Sequence, residues 1–424
     1  MISYNEAVAV LKEIAIQSPV KEEECSLRLA AGRVLSREVV GFEDVPHFDN
    51  SAMDGFALVS KDTQGASECN PLRVPVSTFL AAGDVFELNS QIDQLASIEI
   101  MTGAPLPKGK FDSVVRIEDV EVLLRNGEKE IVLHRPVRHL ENVRLQGSDF
   151  RAGDRIAQKG EFIGAQHLMA FSSLGIDKVW TRKPLKVAVL ATGKELIEIG
   201  RERTNSAQIW NSSGPLLMEA LKELGCEGVD LGIVADDEPE TFKSLLRQGL
   251  QEGVDLFLST GAVSKGKHDF VVEALKEAGA VVHFHKAAIR PGKPICFAEF
   301  PEEKAAFFGL PGNPVSTVVG FRFFVEPYLR ARLGLGMERG VGASLDKDAK
   351  KPEGLRCFYK GRAYLNSDNE IQVEILEGQA SYVVSSLLSA NCWVVLPEEG
   401  FSLLAGSRVQ IFSLDYSFRK GILS

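Results

Sequence analysis

Val254-Asp-Leu-Phe-Leu-Ser-Thr260 runs directly into Gly261-Ala-Val-Ser-Lys-Gly266-Lys267-His268-Asp269. The first part is a short, mostly apolar run rich in bulky residues. The second is crowded with turn formers, cations and hydroxyls. A strand that is apolar on both faces must be covered on both, which is the pattern of a parallel sheet between helices. The same texture continues to either side. Strands are expected at Lys186–Ala191, Val229–Ala235, Val254–Thr260 and Ala305–Leu310. Helices are expected between and after them at Gly214–Leu224, Pro239–Gln251, Phe270–Glu277 and Pro314–Leu333. Strand and helix in alternation define an α/β three-layer domain with a mostly parallel sheet.

Outside this region the pattern changes. Residues 46 to 145 hold short β-like runs at Leu72–Leu80, Val114–Val122 and Glu130–Leu133, separated by Gly, Pro, Asn and Asp, and read as a small β-rich domain. The tail from about 341 alternates in the same way at Glu370–Leu376, Cys392–Leu396 and Arg408–Phe412, giving a second β-domain. At the N-terminus, Ser3-x-x-Glu6 is a capping box ahead of Ala7, Val8, Val10, Leu11 and Ile14, which recur at helical spacing.

The chain has 424 residues and a formal charge of −10. An acidic chain does not displace counterions from a nucleic acid, so broad nucleic-acid binding is not expected. A local basic cluster for a small anion remains compatible with that charge. The six cysteines are scattered without a CxxC pair or a disulfide framework. No apolar run approaches a membrane span, and the first residues do not read as a signal peptide. The expectation is a soluble protein of the cytoplasm.

In an open α/β sheet, ligands bind beyond the carboxyl ends of the strands. The unusual residues fall at those ends: Thr192-Gly-Lys-Glu195, Asp236-Asp237, Gly261 to Asp269, and Pro311-Gly-Asn-Pro-Val-Ser316. Each alone is compatible with a plain turn; their coincidence at one rim argues for a site. Gly261 and Gly266 allow close backbone approach to an anion. Asp236, Asp237 and Asp269 are hard oxygen donors suited to Mg2+. Lys286, Arg290 and Lys293 follow, and an extended chain would put Lys286 and Arg290 on one face. Carboxylates beside cations point to phosphate or oxyanion chemistry. The segment from Gly261 nearly matches the phosphate loop GxxxxGK[ST], but His268 replaces the hydroxyl that would hold Mg2+, so an NTPase is not expected. His283 and His285 lack a third ligand in register and read as structural. Met101, Met169 and Phe321–Phe324 read as core.

In the β-rich part, Asp49-Asn-Ser51-Ala-Met-Asp54-Gly and Met101-Thr102-Gly-Ala-Pro-Leu-Pro107 carry more polar groups than a turn requires. Together with Thr192-Gly-Lys-Glu195-Leu, the Ser259–Asp269 loop, Arg290-Pro-Gly-Lys293-Pro and Leu310-Pro-Gly-Asn-Pro-Val-Ser316, they resemble the MoeA/gephyrin E-domain family, in order and spacing, from about residue 5 to the end. The resemblance implies a MogA-like α/β domain at 184–335, an N-terminal helix and linker domain at 1–45 with 146–183, an inserted β-rich domain at 46–145, and a C-terminal β-barrel-like domain at 340–424. It implies a molybdenumtransferase that inserts molybdenum from molybdate into adenylylated molybdopterin and releases AMP, with Mg2+ as cofactor.

Carried over by motif, Asp54, Thr102, Asp149, Glu195, Asp236 and Asp269 are the implied catalytic positions, with Asp236 and Asp269 as metal ligands. Substrate would be held by Ser51, Gly261, Ser264, Lys286, Arg290, Lys293, Pro311, Asn313, Pro314, Lys360 and Ser381. The family forms homodimers, so Asp54 and Thr102 of one subunit would face the α/β rim of the other. A molybdopterin adenylyltransferase is an expected partner. Three departures stand out: Ala262 where a second glycine is usual, Arg290 where Lys is frequent, and Lys360 where Arg is frequent. The rival readings are the preceding adenylyltransferase step, which uses a lone α/β domain, and a non-enzymatic scaffold. The β-rich motifs favour insertion over the first, and the nearly complete site motifs favour it over the second.

Overall fold

The structure, a computed structural model, describes residues 1–18, 20–85, 95–125, 127–261 and 270–416. Ala262, Ser264 and Asp269 lie outside the described residues. The chain forms two compact units. One comprises Met1–Arg37, Lys159–Gly164 and Lys178–Ser424; the other comprises Glu38–Gln158 and Ala165–Asp177.

The first unit is built around a six-stranded sheet, ordered Glu227–Val234, Lys186–Thr192, Leu256–Thr260, Ala305–Leu310, Cys296–Phe300, Val281–His285. The first four strands are mutually parallel, and only Cys296–Phe300 runs against the rest. Period-two alternation divides each strand between two cores. Val187 and Val189 join Leu256 and Leu258 on one face. Ala188 and Leu190 join Phe257 on the other. The first face is covered by the N-terminal helix Tyr4–Gln17, by Ser213–Glu223 and by Pro314–Gly320, through Leu11, Leu217 and Val318 among others. The second is covered by Pro239–Gln251 and Val271–Glu277 through Phe242, Leu246 and Leu275. Three layers follow directly.

Local signals set the helix ends. Ser3 Oγ accepts from the Glu6 N–H while Ser3 N–H donates to the Glu6 carboxylate at 2.9 Å, a complete capping box. The helix expected at Pro314–Leu333 is interrupted by a π turn at Phe321–Val325. Pro327 has no N–H for the carbonyl four residues back, and the wider turn absorbs the mismatch. This turn carries Arg322, whose buried guanidinium contacts Glu326 at 3.2 Å, Glu338 at 2.6 Å and the Ser413 carbonyl at 3.2 Å. Phe321, Phe323 and Phe324 are core, but Met101 and Met169 are 37% and 78% exposed, which corrects their expected burial. Met101 adjoins the polar turn at Thr102-Gly103, and Met169 lies on the exposed side of the helix Ala165–Ser173.

The tail forms a closed five-stranded barrel. Arg356–Leu365, Ile371–Ile375, Val341–Leu345, Arg408–Ser413 and Cys392–Leu396 pair in that order, and the last pairs back with the first. Closure leaves no free edge. Cys357, Tyr359, Val394 and Ile411 point into the barrel, while Phe358 and Trp393, of opposite parity, enter the main core.

The second unit holds a six-stranded sheet, ordered Ser113–Arg116, Gly55–Leu58, Ser97–Ile100, Leu72–Leu80, Glu128–Leu133, Glu121–Arg125. The single strand expected at Val114–Val122 is two, broken at Ile117–Asp119, where Arg116 and Asp119 pair at 2.8 Å.

Candidate functional site

The carboxyl ends of Lys186–Thr192, Leu256–Thr260 and Ala305–Leu310 open onto one cleft of about 580 Å³. Thr192, Glu195, Asp236, Thr260, Gly261 and the segment Pro311–Pro314 line it, so four of the expected strand-end motifs meet in one place. The floor is glycine-dependent. Gly261 has φ +89°, and a Cβ there would lie 2.5 Å from the Thr192 carbonyl oxygen. Thr192 Oγ1 donates to the Thr260 carbonyl at 2.9 Å, and Gly261 N–H donates to the Leu310 carbonyl, tying three strand ends together. Thr317 Oγ1 donates to the Pro311 carbonyl at 2.6 Å and fixes the turn that presents Gly312 and Asn313 to solvent. Glu195 is exposed in the cleft and Asp236 half-buried.

Sequence reasoning missed part of this wall. Trp210, Asn211, Ser212, Ser213 and Tyr382 also line the cleft. Leu196–Ile197 pairs with Ile209–Trp210, which carries the indole to the rim, where Nε1–H donates to the Arg201 carbonyl at 3.1 Å. Asn211 Oδ1 accepts from the Gly214 N–H at 3.0 Å at the start of Ser213–Glu223. The Asn-Ser-Ser-Gly run before that helix was the available signal.

The basic residues are placed differently from expectation. Lys286 has φ 108°, so the stretch is not extended, and Ile289–Arg290 is a separate short strand paired with Arg356–Cys357. Lys286 N–H donates to the Ile295 carbonyl and Ala287 N–H to the Lys293 carbonyl, so the segment folds back on itself. The backbones of Lys286 and Lys293 thereby become neighbours, with Arg290 and Lys293 exposed. None of the three side chains lines the cleft, but Pro294, next to Lys293, does.

Lys360 does not present its ammonium to the cleft. It is fully buried, and Nζ donates to the carbonyls of Gly378 at 2.7 Å and Val383 at 2.9 Å. Burial lowers its pKa below the usual lysine value. Ser381, half-buried, accepts from the Val315 N–H through its carbonyl at 3.0 Å.

In the second unit, pairing of Gly55 with Ile100 aligns the turns on either side of the strands. Asp54 Oδ1 accepts from both the N–H and the Oγ1 of Thr102, each at 2.7 Å. The backbone bond first, then the hydroxyl, holds this exposed carboxylate below the usual aspartate pKa. Gly55 allows the turn to lie against the neighbouring strand, since a Cβ would meet the Val115 carbonyl oxygen at 2.0 Å. Ser51 is fully buried, and its hydroxyl donates to the Met53 carbonyl, so its side chain closes the turn rather than facing a substrate. Asp149 is exposed, with its N–H on the Val45 carbonyl.

Burial pushes the thiols of Cys226 and Cys392 up to about 12, which disfavours nucleophilic thiolate at neutral pH. His283 Nε2 lies 3.0 Å from the Glu299 carboxylate. Among the described residues, no group of three or more His, Cys, Asp or Glu is arranged to cage a metal ion.

A three-layer α/β unit with a glycine-floored cleft at its strand ends, followed by a closed barrel, defines an α/β class of protein with a cleft of small-ligand size. The comparisons narrow this. Residues 2–175 match the MoeA N-terminal region (domain I and II), 188–331 a probable molybdopterin binding domain, and 342–414 the MoeA C-terminal region (domain IV). The molybdopterin molybdenumtransferase of Synechococcus elongatus is 38% identical over 98% of this chain and 100% of its own. That of Haemophilus influenzae is 34% identical over 93% and 94%. The molybdopterin biosynthesis MoeA protein of Pyrococcus horikoshii superposes with a TM-score of 0.79 at 30% identity, covering 97% of this chain and 99% of its own. The chain belongs to the molybdopterin molybdenumtransferase (MoeA) family.

Proposed function

We propose that this chain inserts molybdenum from molybdate into adenylylated molybdopterin, with loss of AMP, to give molybdenum cofactor. The observation that carries this is the strand-end cleft, which places Glu195 and Asp236 beside Gly261 and Pro311–Pro314. Phosphate oxygens need donors and little steric bulk. Gly261 and Gly312 leave the floor free of side-chain bulk, and the start of Ser213–Glu223 favours negative charge. The folded-back segment with Lys286, Arg290 and Lys293 offers cations for the dianionic molybdate near the cleft's Pro294 edge.

Magnesium is usually held through one or two carboxylates, waters and substrate phosphates. A wall with Glu195 and Asp236 fits that donor set, with Asp269 as the expected second aspartate ligand. When bound, Mg2+ supplies positive charge against the pyrophosphate oxygens. Asp54, kept ionised by Thr102, serves positioning or proton transfer. The proposal includes a homodimer whose second subunit brings Asp54, Thr102 and Asp149 to the cleft. It also includes the four-part domain division, a cytoplasmic setting and delivery of the pterin by an adenylyltransferase. No helix among the described residues is long and apolar enough to cross a membrane.

The test is AMP release by the purified protein given adenylylated molybdopterin, Mg2+ and molybdate. AMP that appears only with molybdate supports insertion, and Asp236→Asn or Asp269→Ala should abolish it while leaving the dimer intact. AMP release independent of molybdate, or normal turnover by both variants, would sink the reading.

A further inference from the structure

Tyr382 reaches the α/β cleft from the C-terminal barrel, yet its ring is 72% exposed. An exposed aromatic on a cleft wall invites a stacking partner, and the loop that carries it is unusually well held. Lys360 lies on the barrel strand Arg356–Leu365 with the same parity as Phe358, so its side chain leaves the barrel outward, beneath residues 376–387. There its ammonium donates to the carbonyls of Gly378 and Val383, one on each side of Tyr382. Gln379 adds a second clamp. Its Oε1 accepts from Lys360 N–H at 3.0 Å, and its Nε2 donates to the carbonyls of Lys360 and Leu376 at 2.8 and 2.7 Å. The tip is tied down by the Val315 N–H on the Ser381 carbonyl.

A charged group fully removed from water is costly unless its hydrogen bonds repay the burial. Here the bonds go to one loop, and what that loop presents is Tyr382. From this we propose that Tyr382 is a substrate-contacting residue that packs its ring on a fused planar nitrogen heterocycle, and that Lys360 is the positioning residue that holds it there. This rests on the cleft being the substrate site. Trp210 lines the same cleft and is a second aromatic surface available to the heterocycle. The adenylylated substrate contains two such rings, the adenine and the pterin, so the experiment separates them.

Calorimetric titration of the full-length protein with AMP, and separately with 6-hydroxymethylpterin, gives the dissociation constant for each ring. Removing one ring-on-base stack weakens binding by about tenfold. Tyr382→Ala should therefore raise Kd about that much for one of the two probes, and Tyr382→Phe should leave it within about twofold. Because Tyr382 is exposed, its loss leaves the fold intact. Lys360→Met should weaken the same probe, and Lys360→Arg should restore binding, since a guanidinium also donates to two carbonyls. If Lys360 acts through Tyr382, the double variant Lys360→Met/Tyr382→Ala binds no worse than Tyr382→Ala alone. Parental affinity in Tyr382→Ala, or additive losses of about a hundredfold in the double variant, would overturn the proposal while the cleft stays the substrate site. Failure of both probes to bind the parent would also overturn it, and molybdate-dependent AMP release by that same parent would show that the cleft reading survives.

Discussion

Arg322→Met should destabilise the first unit by about 3–5 kcal/mol, the usual cost of removing one partner from a buried ion pair. The structure explains why the upper part of that range applies. The Arg322 side chain is 3% exposed and that of Glu326 is 0%, so water does not replace the lost 3.2 Å contact. The Glu338 carboxylate loses its 2.6 Å donor and the Ser413 carbonyl its 3.2 Å donor, which unties the π turn from the last barrel strand. Methionine keeps most of the apolar stem, so the cost is electrostatic rather than a cavity. Equilibrium urea unfolding followed by tryptophan emission is the assay. The three tryptophans, Trp180, Trp210 and Trp393, all fall in this unit, so emission reports on it alone. Trp393 is the most direct probe, with its ring 6.1 Å from Phe323. Arg322→Met/Glu326→Leu should recover part of the loss, because it removes the fully buried carboxylate, while the Glu338 carboxylate, 17% exposed, still lacks its Arg322 donor. A parental midpoint for the single variant, or a double variant no better than the single, would refute the reasoning.

Gly261→Ala should cost about 1–3 kcal/mol from its left-handed backbone alone. The Cβ would also lie 2.5 Å from the Thr192 carbonyl, which the sheet prevents from moving away, so the melting temperature and AMP release should fall together. Thr102→Val should raise the Asp54 pKa, read by carboxyl carbon NMR across a pH titration, yet leave it below the ordinary aspartate value because the backbone donor remains. The lowered pKa gives a contribution that is present above the ordinary aspartate range and lost as pH falls through the folded value. An unchanged titration would show that the hydroxyl contributes nothing.

The legible parts of the fold were those fixed by local chemistry. Pro239–Gln251 was recognisable from a proline at its first turn and an apolar stripe through Phe242 and Leu246. Three of the parallel strands, Lys186–Thr192, Leu256–Thr260 and Ala305–Leu310, were recognisable because both their faces are buried, which leaves largely apolar runs, whereas the edge strand Glu227–Val234 is only partly buried. The antiparallel strand Cys296–Phe300 is interrupted by Glu299, is bounded by prolines and belongs to no strand–helix repeat, so nothing local announced it. The same division applies to the site. Glu195, Asp236, Gly261 and Pro311 were visible because each directly follows a strand whose end forms the rim. Trp210 and Tyr382 reach that rim from a two-residue ladder and a barrel loop, and only tertiary packing brings them there.

Lys360 shows how a departure from a family pattern becomes intelligible once its surroundings are known. Read as an anion-binding position, lysine is the weaker choice, because it lacks the planar two-donor fork of arginine. The position asks for something else. Two carbonyl oxygens lie 2.7 and 2.9 Å from Nζ, away from water, and a buried cationic donor satisfies both. Its ammonium anchors that loop to the barrel strand and does not face the cleft.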